Sequence, residues 1–278
     1  MAERGLRNVR IVVAYKGTNY GGWQRQPNAV TIQELLEETV RKVTGERVTV
    51  IGSGRTDAGV HALGQVANFK TASRLDAEEF VGALNAYLPA DVAVLEAAEV
   101  PIEFNSRTDA RRKTYRYHIW RSAVRPVVWG DYVYHRRSPL DPSLMAEAAV
   151  LFEGRHDFGA FATELDPEKD TVREIHVSRV DSYALGEVAL LPGMCDFSEG
   201  EARPFRREGE LIAFTVTGSG FLYNMVRAMA GTLMDVGRRA IPPEEIGRIM
   251  AARDRRRAGP TAPPQGLVLV GVDYSAHL

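Results

Sequence analysis

The stretch GSGRTDAGVHALGQ, residues 52–65, sets Arg55, Thr56 and Asp57 between glycines, directly after a run that reads as a buried strand. Gly52, Gly54 and Gly59 permit backbone angles that other residues resist, and they let a ligand come close. A dinucleotide loop is excluded, because Asp57 stands where G-x-G-x-x-G needs its third glycine, and a phosphate loop is excluded because G-K-[ST] is absent. Two readings remain. Either the turn presents a reactive carboxylate, or Asp57 closes an Asx-type turn on nearby amides.

A second candidate lies in GSGFLYNMVRAMAGTLM, residues 218–234, where Arg227 is the only charge. Phe221, Leu222, Met225, Met229 and Leu233 form an apolar helical face. A guanidinium there either snorkels at the edge of the core or meets an anion. A buried Arg227–Asp57 pair would explain both oddities, since it would keep the carboxylate charged and aimed. The third candidate is Tyr115 with Tyr117 in KTYRYHIW. Alternation puts both on one strand face, fit for stacking on a base or for cross-strand packing.

Other chemistries find no support. The six histidines are scattered and a single cysteine, Cys195, stands alone, so no metal is expected. No serine elbow appears. A lone prominent carboxylate does not suit glycoside hydrolysis.

These residues need elements to hold them. VRIVVAYK reads as a strand. TIQELLEETVRKVTG reads as a helix with a Thr31/Glu34 capping box, an Ile32, Leu35, Leu36, Val40, Val43 stripe and a Gly45 stop. RVTVIGSG and GQVANF read as strands, LDAEEFVGALNAYLP as a helix capped by Asp76 with Glu79, and VAVLEAAEV as a strand. That order is the split βαβ of ferredoxin-like and RNA-recognition domains. The second half repeats it less cleanly: strand KTYRYHIW, helix DPSLMAEAAVLFEG capped at Asp141, strands REIHVSRVDSYAL and ELIAFTVTG, helix GFLYNMVRAMAGTLMDVG, a short helix at PPEEIGRIM and strand GLVLVGVDY. An α+β fold follows, with two ferredoxin-like βαββαβ-type halves around a mainly antiparallel sheet. The expected division is 1–104, carrying the turn, and 105–278, carrying a basic segment and the arginine helix.

The 278 residues have a net charge near −1, which argues weakly against nucleic acid, but charge is unevenly placed. Residues 107–137 hold nine Lys/Arg against two Asp, interleaved with aromatics, as suits phosphate contacts beside stacking surfaces or equally a solvated strand face. No apolar run is long enough to cross a bilayer, and MAERGLRNVR lacks the apolar middle of a signal peptide, so a cytoplasmic protein is expected.

YGGWQRQ, GSGRTDAGVHALGQVANF, KTYRYHI, GSGFLYNMVR and GLVLVGVDY, taken in order, resemble the TruA-type tRNA pseudouridine synthases over nearly the whole chain. The resemblance implies the pseudouridine synthase fold and isomerisation of uridine at positions 38, 39 and 40 of the tRNA anticodon stem-loop, by a homodimer without cofactor. It implies Asp57 as the catalytic carboxylate and Arg55 as the residue that helps expel the target base. Tyr115 would contact the uracil, Arg227 would pair with Asp57, and Leu267 would pack on the uracil's other face. Asn105, Arg107, Arg111, Arg112 and Lys113 are expected on RNA. The main departure is the loop at 191–209, longer than expected between its strands. Two rivals stand beside this reading: a noncatalytic RNA-binding protein, and a nucleotide hydrolase, the latter disfavoured by the missing phosphate loop and metal ligands.

Overall fold

The computed structural model describes residues 5–163, 170–184 and 209–274. All but Gly209 of the 191–209 loop, including Cys195, lies outside the described residues. The chain forms two compact units from non-contiguous segments. The first comprises Met1–Tyr115, Thr217–Gly220 and Leu267–Leu278; the second comprises Arg116–Val216 and Phe221–Gly266. The fold is a mixed α/β one with mostly antiparallel strands.

In the first unit, β1 (Arg7–Tyr15), α1 (Ile32–Thr44), β2 (Ile51–Gly52), β3 (His61–Thr71), α2 (Glu79–Asn85) and β4 (Val92–Val100) follow one another. β1 pairs antiparallel with both β3 and β4, and β2 pairs antiparallel with β3 at Ile51–Asn68 and Gly52–Ala67. β10 (Leu267–Asp273) runs parallel to the start of β3, Val268 opposite His61. Side chains alternate on β1, so Val9, Ile11 and Val13 are fully buried. Ile32, Leu36 and Val40 are buried from α1, each worth about 1.5–3 kcal/mol of transfer.

α1 starts and stops where its sequence says. The Thr31 hydroxyl accepts the Glu34 amide at 3.4 Å, and Gly45 ends the helix at φ +78. The Glu34 carboxylate lies 3.3 Å from Arg25. Leu35 and Val43 are only half-buried; Gln33 and Thr39 are buried instead. The RVTVIGSG strand shrinks to Ile51–Gly52. Side chains of α1 take the backbone groups of Val50, whose carbonyl accepts Gln33 Nε2 and whose amide donates to Glu37 Oε1, both at 3.1 Å. α2 also starts late. Asp76 and Ala77 carbonyls accept the amides three residues on, and the Glu79 carboxylate accepts the Asp76 amide at 2.8 Å, so a tight turn precedes the helix.

β5 (Arg112–Arg121) begins in the first unit and ends in the second. The second unit orders its strands β5, β9 (Glu210–Gly218), β8 (Val172–Ala184) and β7 (Gly154–Asp157), with short β6 (Tyr134–Arg136) parallel to β5. β6 and β7 carry no alternating apolar run, and the sequence does not announce them. α3 (Pro142–Val150) is capped by Asp141, which accepts the Ser143 and Leu144 amides at 3.1 and 3.3 Å. α4 (Met225–Gly237) begins after the FLYN run, because Asn224 takes a left-handed conformation at φ 60. α5 (Glu245–Ala252) completes the helices among the described residues.

Candidate active site

In the first unit the 52–60 turn leaves β2 and enters β3, and its backbone is held at nearly every residue. The Ser53 amide donates to Val66 O at 2.8 Å, and the Trp23 amide donates to Thr56 O at 3.0 Å. Tyr15 and Thr56 share a hydroxyl hydrogen bond of 2.8 Å, and the Val60 amide donates to Asp57 O at 3.1 Å. Gln65 reaches back to accept the Ser53 hydroxyl at 2.5 Å and donate to Gly54 O at 2.9 Å. Thr56 is buried, Asp57 half-buried, and Arg55 exposed with its Nε on Gln24 Oε1 at 3.1 Å. The turn therefore holds a carboxyl group and a guanidinium group, two residues apart, on a fixed frame.

The glycines of the turn serve the protein's own packing. A Cβ on Gly52 would lie 2.4 Å from the Trp23 indole, and one on Gly54 would lie 3.2 Å from Lys113 Nζ. Within the turn only Gly59, at φ +80, needs its backbone freedom. The YGGW run has a parallel reason. Gly22 sits at φ +90, and a Cβ there would lie 2.5 Å from Thr56 O. Trp23 and Gly22 together brace the turn from behind.

Tyr115, on β5, is buried with its phenol near the turn. Burial raises its pKa, and the Tyr15 phenol and the Asp57 carboxylate add to the rise. Tyr115 is therefore a neutral phenol within the field of Asp57. Burial also pushes Tyr15 up to about 12, against the pull of its Thr56 and Gln65 hydrogen bonds. Leu267, at the head of β10, is 5% exposed. Among the expected RNA contacts, Arg107, Arg111 and Arg112 are exposed. Asn105 accepts the Arg107 amide at 2.9 Å, shaping the loop before β5. The Lys113 ammonium donates to Ser53 O at 2.6 Å.

Arg227 belongs to the second unit. Its Nε donates to Ala262 O at 2.7 Å and its Nη1 to Asn224 Oδ1 at 2.8 Å, while its own carbonyl accepts the Ala262 amide at 3.0 Å. The carbonyl and the amide of Ala262, in the 258–263 segment, thus both hold Arg227. Gly231 lets that segment approach, since a Cβ there would lie 1.7 Å from Pro260 O. Asn224 also donates to Thr163 Oγ1 at 2.7 Å, so it orients the guanidinium from a fixed position. Asn224 stands in the GSGFLYNMVR run, but nothing in the local pattern assigns it the task of orienting the arginine. Tyr117, the neighbour of Tyr115 in alternation, is fully buried and donates to Pro263 O at 2.8 Å. Its phenol has a structural partner.

No group of three or more potential metal ligands occurs among the described residues, and no described helix is long and apolar enough to cross a membrane. The basic 107–137 segment is partly consumed internally: Arg121 pairs with Glu210 at 2.7 Å, and Arg116 Nε donates to Thr215 Oγ1 at 3.1 Å.

The family model described as tRNA pseudouridine synthase matches residues 11–109 and 148–275. A tRNA pseudouridine synthase A of Pelobacter propionicus is 44% identical over 97% of this chain and 100% of its own length. Proteins of the same name from Caldicellulosiruptor bescii and Moorella thermoacetica are 41% and 42% identical, covering 97% and 96% of this chain and 100% and 99% of the relatives. The chain belongs to the tRNA pseudouridine synthase family, in its TruA type, whose enzymes isomerise uridine to pseudouridine in tRNA.

Proposed function

We propose that this protein converts uridine to pseudouridine at positions 38, 39 and 40 of the tRNA anticodon stem-loop, with Asp57 as the catalytic carboxylate. The observation that carries the assignment is the braced turn that fixes Asp57 and exposed Arg55 two residues apart, with the neutral Tyr115 phenol in the field of Asp57. The reaction breaks N1–C1′, turns the uracil and joins C5 to C1′; C5 loses its proton and N1 ends protonated. No outside oxidant or reductant is needed. Asp57 supplies the carboxylate as nucleophile or base. The uracil must first leave the stack, which costs a few kcal/mol and least in a flexible loop. Arg55 fills the vacated space, and Tyr115 and Leu267 grip the free ring.

Arg107, Arg111, Arg112 and Asn105 form the RNA-facing group in this proposal, while the Lys113 ammonium is turned to the Ser53 carbonyl. A single site that serves adjacent positions of one loop reads shape and charge more than base edges. We further propose that each of the two units is a ferredoxin-like half, the first supplying the turn and the second the arginine helix, in a cytoplasmic homodimer. A monomer by light scattering at working concentration would remove the dimer.

The test of function is direct. Unmodified tRNA bearing uridine at 38–40 is incubated with the protein and pseudouridine is mapped. Wild type should modify those positions, and Asp57→Ala should bind the tRNA and convert none. Conversion by Asp57→Ala at the wild-type rate refutes the role of the carboxylate; modification confined to other positions refutes the site assignment.

A further inference from the structure

We propose that Lys113 and Gln65 are positioning residues that clasp the Ser53–Gly54 backbone from two strands and so fix where Arg55 and Asp57 stand. The proposal rests on the pseudouridine synthase reading of the site and goes beyond the RNA-contact role expected for Lys113.

Ser53 is fully buried and each of its polar groups is used. Its amide donates to Val66 O at 2.8 Å, its hydroxyl to Gln65 Oε1 at 2.5 Å, and its carbonyl accepts Lys113 Nζ at 2.6 Å. Gln65, also fully buried, donates its other end to Gly54 O at 2.9 Å. Thus one amide from β3 and one ammonium from β5 hold consecutive carbonyls just before Arg55. Gly54 is the residue that leaves room for the ammonium, since a Cβ would close to 3.2 Å.

The lysine is an expensive choice for this task. Burial, then the neighbouring Arg107, pulls its ammonium below the usual lysine range. Its acceptor is a backbone carbonyl rather than a carboxylate, so no full countercharge offsets the burial. A long cation reaching a carbonyl across strands has a geometric use: a charge-assisted bond is shorter and stiffer than a neutral one. A displacement of about 1 Å in a catalytic group costs on the order of a hundredfold in rate, so stiffness at this turn has a direct kinetic consequence.

The experiment uses the full chain and compares wild type, Lys113→Met, Gln65→Leu and the double variant. Three quantities are measured: turnover at saturating tRNA, tRNA affinity, and amide hydrogen exchange of residues 53–60. For Lys113→Met we expect turnover to fall about 10- to 100-fold, affinity to stay within about twofold, and exchange across 53–60 to accelerate while distant segments hold. The double variant should lose little more than the worse single one, because both act through one turn. Affinity weakened tenfold with turnover intact makes Lys113 a phosphate contact and overturns the proposal, as does unchanged exchange at 53–60. Lys113→Gln, a donor on a shorter stem, replaces Lys113→Met if that variant does not fold; full turnover with wild-type exchange in Lys113→Gln overturns the proposal equally. If wild type forms no pseudouridine, the functional reading fails, yet the exchange data still decide whether the clasp holds the turn.

Discussion

Gly231 to alanine is the substitution whose outcome departs furthest from intuition. In a helix interior this change normally stabilises by about 1 kcal/mol. Here the added Cβ would lie 1.7 Å from Pro260 O and 2.9 Å from its carbonyl carbon. The obstacle is backbone, so the 258–263 segment must retreat by well over an ångström. The retreat breaks the Arg227 Nε bond to Ala262 O, the Ala262 amide bond to Arg227 O, and the Gly259 amide bond to Thr232 Oγ1 at 2.8 Å. A bond to a charged group is worth about 1.5–3 kcal/mol and a neutral one about 1. Set against the helix gain, the net loss is about 2–4 kcal/mol, which lowers Tm by on the order of 10 °C in a chain of this size. Thermal unfolding followed by circular dichroism measures the loss, and pseudouridine mapping reports whether Arg227 has moved. Gly247→Ala on α5 is the internal control. Its Cβ meets nothing within 4 Å, so it should be neutral or stabilising by up to about 1 kcal/mol. If Gly231→Ala melts at or above wild type with full turnover, the close-approach argument is wrong.

Three other perturbations follow from the same coordinates. Thr31→Ala removes the hydroxyl that caps α1 and should cost about 1 kcal/mol in urea unfolding, while Thr31→Ser, which keeps the hydroxyl at this buried position, should retain most of the stability. Tyr117 has its pKa raised by burial, then by Tyr134, against Arg227; its contribution is complete below the unfolded value near pH 10 and is lost as pH rises through the folded value. Stability should therefore fall above about pH 10 by up to about 1.4 kcal/mol per unit for this tyrosine, and Tyr117→Phe should flatten that slope. An unchanged slope would place the alkaline transition elsewhere. Arg112→Ala, at an exposed position, should weaken tRNA binding and reduce the slope of log K against log salt by about 0.7–0.9 if it contacts one phosphate; an identical slope would take Arg112 off the RNA.

Local signals were legible wherever a short segment decides its own conformation. Thr31 and Gly45 bound α1 because a cap and a left-handed stop act within a few residues. Asp141 starts α3 for the same reason. Alternation placed Tyr115 and Tyr117 on one buried face of β5. The reading faltered where a distant side chain competes for backbone groups. Residues 47–50 have the composition of a strand, yet Gln33 and Glu37 of α1 claim Val50 first. The FLYN run has helical periodicity, yet Asn224 leaves the helix to reach Thr163 and Arg227.

The sequence alone identified the carboxylate turn, the arginine helix and the tyrosine strand, because their residue types and order are written in the chain. What each glycine, lysine and glutamine does was settled only by folding. Gly52 and Gly54 look like openings for a ligand, but they accommodate Trp23 and Lys113, which arrive from 29 and 59 positions away. Their role depends on which strands lie beside the turn, and side-chain contact across strands is a property of three-dimensional neighbours that no local pattern encodes.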